Sequence, residues 1–173
     1  MTKKKEFQLL LKKESLTSSI SYHKLFRKQP MQKYNKFDKA YLKMAQEWAK
    51  LSYCERKQVG ALIVKDRMII SDGYNGTPSG SENCCEDETG KTHWYVLHAE
   101  ANAILKLAGS TQSARGATLY LTLSPCKECS KLILQAGISK LVYINAYSDD
   151  EGIAFLKEHQ IEIIQVSENE LEI

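Results

Sequence analysis

The chain has 173 residues, 43% of them hydrophobic and 26% charged, and a formal net charge of +3. That length suits one compact domain with a short appendage, and the composition is that of an ordinary globular protein. No apolar run approaches the ~20 residues that span a bilayer, which argues against a membrane-embedded class. The charge is uneven: residues 1–36 hold ten Lys/Arg against two Glu, a local +8 that leaves −5 on the remainder. Such an arm reads as a solvated, partly disordered extension over residues 1–35, and it carries no recognition motif for nucleic acid. The opening "MTKKKEFQLLLKKE" lacks a secretory apolar region and a small-residue cleavage site, so a cytoplasmic location is expected. In that compartment the five cysteines are expected to be thiols or metal ligands rather than disulfides.

The domain is expected over residues 36–173. Phe37, Tyr41, Met44, Ala45, Trp48 and Leu51 recur at helical spacing and predict an amphipathic helix. "VGALIVK" and "RMIISDG" predict two antiparallel strands joined by a tight turn at Lys65-Asp66. "GYNGTPSGSENCCEDETGKTHW" is rich in turn residues and reads as a long loop, a length more often kept for function than for connection. "AEANAILKLAG" predicts a helix with Gly109 as its C-cap, "ATLYLTL" a buried strand, and "KECSKLILQAG" a helix ended by Gly137. "KLVYINA", "DDEGIAFLKEHQ" and "IEIIQV" follow as strand, helix and strand. The order α-β-β-α-β-α-β-α-β implies a layered α/β domain with a largely parallel sheet.

Two stretches carry chemistry. In "SPCKEC", Cys126 and Cys129 stand three residues apart at a strand-to-helix junction, with both sulfurs on one face of the first helical turn. The helix N-terminus favours thiolate there, and Pro125 suits the start of the helix. Alone, this spacing fits a redox pair or half a structural zinc site equally well. In "LHAEANAIL", His98 opens a helix and Glu100 follows two residues later. Alone, His98 reads as a packed or capping residue and Glu100 as a helix-start carboxylate favoured by the dipole. The joint pattern H-x-E, then P-C-x-x-C, is far more specific than either half.

That joint pattern resembles the signature of zinc-dependent nucleobase deaminases. "QVGALIV", "GYNGTPSG", "NCCE", "HAEANAIL", "LYLTLSPCKECSKLILQAGI" and "LVYINAY" together resemble deoxycytidylate deaminases over roughly Phe37 to Val166. Ser124 stands before Pro125 where tRNA adenosine deaminases carry Glu, and His98 stands where nucleoside cytidine deaminases use a third cysteine. The resemblance implies a cytidine deaminase-like three-layer α/β/α fold with a five-stranded mixed sheet. It implies a catalytic Zn2+ on His98, Cys126 and Cys129, which would activate water toward the carbon bearing the amine. Glu100 would take the water's proton, protonate the pyrimidine ring nitrogen and carry a proton to departing ammonia. The substrate would be dCMP and the product dUMP, the precursor for thymidylate synthesis.

Further roles come from the same resemblance. Asn75 matches a residue expected to bond the sugar hydroxyl, and the backbone at Ala99 and Ser124 is expected to read the base edge. Arg56 is the expected phosphate ligand, with Lys57 as competitor, and Tyr147 is expected to cover the nucleotide or donate to its phosphate. Cys54, Cys84 and His93, with Cys85 as a further candidate, match a second, structural zinc found in some members. Gly73, Tyr74 and Gly76 match a loop used in allosteric control by dCTP and dTTP, an effector nucleotide that would bring Mg2+. Members assemble as homo-oligomers, hexamers or dimers. The stretch "FQLLLKKESLTSSISYHKLFRKQPMQ" has no counterpart in this family. Two other readings stay open on sequence: a deaminase of another nucleobase substrate such as tRNA adenosine, and a non-catalytic zinc-stabilised partner module.

Overall fold

The computed structural model describes residues 34–172. All but the last two residues of the basic extension therefore lie outside the described residues. Among the described residues no helix is long and apolar enough to cross a membrane.

Helix α1 spans Lys36–Ala49 and is set by a capping box. Asn35 Oδ1 accepts from the amides of Phe37 and Asp38, and Asp38 Oδ2 accepts from the Asn35 amide at 2.8 Å. Its inward face is Asp38, Leu42, Ala45 and Ala49, while Phe37 and Met44 lie exposed. The expected apolar stripe is thus rotated. The reason is close approach: a Cβ on Gly60 would come within 2.7 Å of the Ala49 amide nitrogen, so α1 lies directly on the strand carrying Gly60, and only small residues fit between them.

Strands β1 (Gly60–Lys65) and β2 (Met68–Tyr74) form the expected hairpin. Its turn falls at Asp66-Arg67, one residue beyond the expected place, with φ of +50° and +64° at the two residues, as a two-residue hairpin of matching twist requires. Helix α2 follows the long loop at Ala99–Lys106. It gives way to a 3-10 turn, Leu107–Gly109, so Gly109 sits within that turn rather than capping α2. Strand β3 (Thr118–Leu123), helix α3 (Lys127–Gln135), strand β4 (Lys140–Asn145), helix α4 (Glu151–Glu158) and strand β5 (Glu162–Gln165) complete the domain. Gly137, at φ +75°, turns the chain out of α3.

The sheet order is β2-β1-β3-β4-β5. β3, β4 and β5 run parallel, but β1 is antiparallel to both β2 and β3. The sheet is five-stranded and mixed, as the resemblance implies, with β1 alone running against the other four strands. Its two faces bury separate cores. Leu62, Val64, Tyr120, Val142 and Ile144 meet α1 through Leu42 and Ala45. Ala61, Ile63, Leu119, Leu121 and Leu141 meet Ala99 and Ala103 of α2, Ile133 of α3 and Leu156 of α4. Strands covered on both faces read as continuous apolar runs, which is how they appear in the sequence.

Candidate metal centre and cavity

Helices α2 and α3 begin side by side at one end of the sheet. Three residues separate β3 from helix α3, and Gly152 of α4 presses on the start of that helix: a Cβ there would lie 2.6 Å from the Pro125 carbonyl oxygen. The start of α2 is fixed by an antiparallel bridge between Leu97 and Gly76 and by packing on β2. A Cβ on Gly73 would stand 2.7 Å from the Ala103 amide nitrogen.

His98 and Cys126 are the N-cap residues of α2 and α3, and neither side chain makes a capping bond. Both are left to face one another. His98 Nδ1 lies 3.5 Å from Cys126 Sγ and 3.4 Å from Cys129 Sγ. The three ligand atoms lie within 4.8 Å of one another. Zn–S and Zn–N bonds of about 2.3 and 2.0–2.1 Å in a tetrahedron imply an S···N edge of roughly 3.5 Å. The spacing and the N/S/S donor set therefore fit a zinc ion with one position left open.

Electrostatics agree with such a centre. The Cys126 thiol is drawn down to about 3 by hydrogen bonds from Cys129 and His98, while the Cys129 thiol is pushed up by its hydrogen bond to Cys126 and by burial. His98 is raised, first by its hydrogen bond with Cys126. Glu100, 4% exposed, has its carboxyl raised to about 7 by burial, against the opposing pull of its own amide and of His98.

A cavity of about 350 Å³ opens on these groups. It is lined by His98, Glu100 and Cys126, by Arg56 and Lys57 from the α1–β1 connection, and by Glu86 and Thr92 from the long loop. Asn75, Ser124 and Tyr147 also line it, with Cys54, Val59, Val96, Leu123 and Ser148. Arg56 donates from Nη1 to Thr92 Oγ1 at 3.3 Å, and Lys57 Nζ lies 4.7 Å from the centroid of the Tyr147 ring. Asn75 braces the connection itself: its Oδ1 accepts from the Val59 amide at 2.8 Å, and its Nδ2 donates to the Lys57 carbonyl at 2.7 Å. Ser124 Oγ accepts from the Tyr147 amide at 2.7 Å, tying the end of β3 to the chain beyond β4.

Other expected residues lie elsewhere. Ala99 is fully buried and does not line the cavity, and neither do Gly73, Tyr74 and Gly76. Gly73 instead permits α2 to rest on β2, and the Tyr74 carbonyl accepts from Asn102 Nδ2 at 2.7 Å. The set Cys54, Cys84 and His93 is not gathered. Cys54 is joined to Cys85 in a disulfide, which also corrects the expectation of free thiols. Adjacent residues point opposite ways: Cys85 faces inward and is buried, while Cys84 faces solvent with its Sγ 3.2 Å from the Glu86 carbonyl. His93 stacks on Tyr95. Glu86 and Thr92 were not legible as cavity residues, because "CEDETGKT" reads as a solvated polar turn.

Residues 35–145 match the family model described as the cytidine and deoxycytidylate deaminase zinc-binding region. The crystal structure of dCMP deaminase from the cyanophage S-TIM5 in complex with dCMP and dUMP superposes with a TM-score of 0.75, at 44% identity over 78% of this chain and 99% of that one. The deoxycytidylate deaminase of Mycobacterium phage D29 is 39% identical over 121 residues, 62% of this chain and 93% of its own. The deoxycytidylate deaminase of Saccharomyces cerevisiae is 38% identical over 141 residues, 76% of this chain, but the match spans only 45% of that longer protein.

Proposed function

The chain belongs to the cytidine and deoxycytidylate deaminase zinc-binding family, and from that premise we propose that it hydrolyses dCMP to dUMP and ammonia. In that reaction water adds at C4 of the pyrimidine, the C4–N bond breaks, and the amino group leaves as ammonia. The observation that carries the reading is one cavity lined both by His98, Cys126 and buried Glu100, with Cys129 clustered beside them, and by the two cations Arg56 and Lys57.

His98, Cys126 and Cys129 would hold zinc, which when bound supplies Lewis-acid activation of water near neutral pH. Glu100 does the proton work. A carboxyl raised to about 7 by burial both accepts and returns a proton at neutral pH, as needed first at the ring nitrogen and then at the leaving amine. Being buried, it is also denied easy exchange with bulk water. Arg56 and Lys57 bind the 5′-phosphate, as a guanidinium and an ammonium lining one cavity suit a dianion. Tyr147, held by Ser124 and stacked under Lys57, closes the side of the nucleotide. A phosphorylated nucleotide is met inside the cell, which supports a cytoplasmic location.

The test is ammonia release by zinc-loaded protein from dCMP, CMP, deoxycytidine and dCTP. Turnover of dCMP is expected, and its loss in Glu100→Ala with zinc still bound. Zinc binding without turnover of any of the four overturns the reading.

A further inference from the structure

The segment 85–93 folds as a small hairpin of its own. Glu86 and Thr92 form an antiparallel bridge, and the His93 amide donates to the Cys85 carbonyl at 2.8 Å. Asp87 Oδ1 holds the tip, accepting from the Thr89 amide and hydroxyl and from the Lys91 amide. Three grips fasten this hairpin to the turn after α1. Cys85 is joined to Cys54. Thr92 Oγ1 accepts from the Arg56 guanidinium. The two oxygens of Glu86 divide between successive main-chain amides, Oε2 accepting from Glu55 at 3.2 Å and Oε1 from Arg56 at 3.4 Å.

Glu86 thus stands beside two cations in the cavity, yet its bonds go to the main chain. Among the described residues neither Arg56 nor Lys57 has an ion-pair partner, so both charges stay available to a ligand. A carboxylate placed beside an anion-binding pair disfavours the anion through its charge. Its presence there needs a compensating role, and the two amide bonds provide one: they fix the backbone from which Arg56 and Lys57 project.

We propose that Glu86 is a positioning residue for the substrate phosphate, holding the 55–57 turn so that Arg56 and Lys57 face the cavity and setting the preference for phosphorylated over unphosphorylated nucleoside. The inference rests on the reading above, in which Arg56 and Lys57 take the phosphate. Orientation and charge predict opposite signs for its removal. Losing the amide bonds frees the turn and weakens phosphate binding, whereas losing only a nearby negative charge strengthens it.

The experiment compares wild type, Glu86→Ala and Glu86→Gln, all zinc-loaded and checked for folding by thermal unfolding. It reads kcat and KM for dCMP and the inhibition constants of dUMP and deoxyuridine. In Glu86→Ala the KM for dCMP and the inhibition constant of dUMP are expected to rise about tenfold, with kcat within about twofold and deoxyuridine unaffected. Glu86→Gln, which keeps one acceptor oxygen, is expected to fall between, and it carries the test if the alanine variant fails to fold. A lower KM in either variant, an unchanged one, or equal weakening of dUMP and deoxyuridine overturns the proposal. Wild-type protein that does not turn over dCMP overturns the functional reading, and this inference with it.

Discussion

Gly73 offers a direct test of how the metal centre is built. A Cβ at this position would meet the Ala103 amide nitrogen at 2.7 Å and the Ala103 Cα at 3.2 Å, both in the backbone of α2, where no side chain can rotate away. Ordinary contact begins about half an ångström to one ångström further out, so Gly73→Ala must push α2 off β2 by about that much. Overpacking of this kind costs roughly 1–3 kcal/mol. In a domain of this size that is a fall in Tm of roughly 3–10 °C. The displaced helix carries His98 at its N-cap and Glu100 in its first turn, while Cys126 and Cys129 stay with α3. Displacement of about 1 Å at a reacting group costs on the order of 100-fold in rate, so kcat falls and zinc is held less tightly. The assay pairs thermal unfolding with zinc titration and steady-state kinetics. Gly109→Ala is the control, because nothing lies within 4 Å of its Cβ and its φ is not positive. Gly73→Ala with wild-type Tm, zinc affinity and kcat, but an altered response to nucleotide effectors, would refute the packing argument and return Gly73 to an allosteric loop.

Trp48 Nε1 donates to Asp72 Oδ1 at 2.7 Å, and Lys106 Nζ reaches the same oxygen at 2.7 Å. Burial alone would push Asp72 up, but these two donors outweigh it and hold the carboxyl below its ordinary value. A depressed folded pKa stabilises above the unfolded pKa and loses that contribution as pH falls through the folded value. Trp48→Phe should therefore cost about 1 kcal/mol at pH 7 and less in acid, measured by urea unfolding at both pH values; an equal cost would count against the bond. Tyr120→Phe removes the hydroxyl that donates to buried Asp38 at 2.8 Å and should cost about 1–3 kcal/mol by the same measurement; a neutral effect would show that Lys140 and the Asn35 amide satisfy Asp38 without it. With Cys54 tied to Cys85, the protein should bind one zinc per chain by atomic absorption, and a second equivalent would mean that those sulfurs serve as metal ligands instead.

The layered α/β order was legible because each buried strand is a continuous apolar run bounded by Gly, Pro or Asn, and because the helices begin and end on recognisable signals. His98, Cys126 and Cys129 were legible as a set only through the resemblance of the joint H-x-E and P-C-x-x-C pattern to a known signature; alone, each half fitted other roles equally well or better. What failed to show depends on partners far away in the chain. The rotation of α1 follows from the Gly60 contact with Ala45 and Ala49, so an amphipathic pattern alone placed Phe37 and Met44 inward when they are exposed. The antiparallel pairing of β1 with β3 depends on how a chain of some fifty residues returns, which periodicity does not encode. The pairing of Cys54 with Cys85 rather than Cys84 turns on which of two adjacent residues faces inward, a one-residue register choice inside an irregular loop.

The His98–Cys126 and Arg56–Lys57 linings of the cavity are built by different means, and that difference constrains how the protein can change. The candidate metal centre stands on two helix starts, one seated on β2 through Gly73 and the other packed against Gly152 of α4, so crowding either contact should lower stability. Arg56 and Lys57 stand on one of two loops that hold one another through Cys54–Cys85, the Glu86 amide bonds and the Thr92 hydroxyl. Glu86 and Thr92 lie in that clasp, outside the helices and the five-stranded sheet. If Arg56 and Lys57 take the phosphate as proposed, changes at Gly73 or Gly152 should lower stability and kcat together, while changes at Glu86, Thr92 or Arg56 should act mainly on KM for phosphorylated substrates.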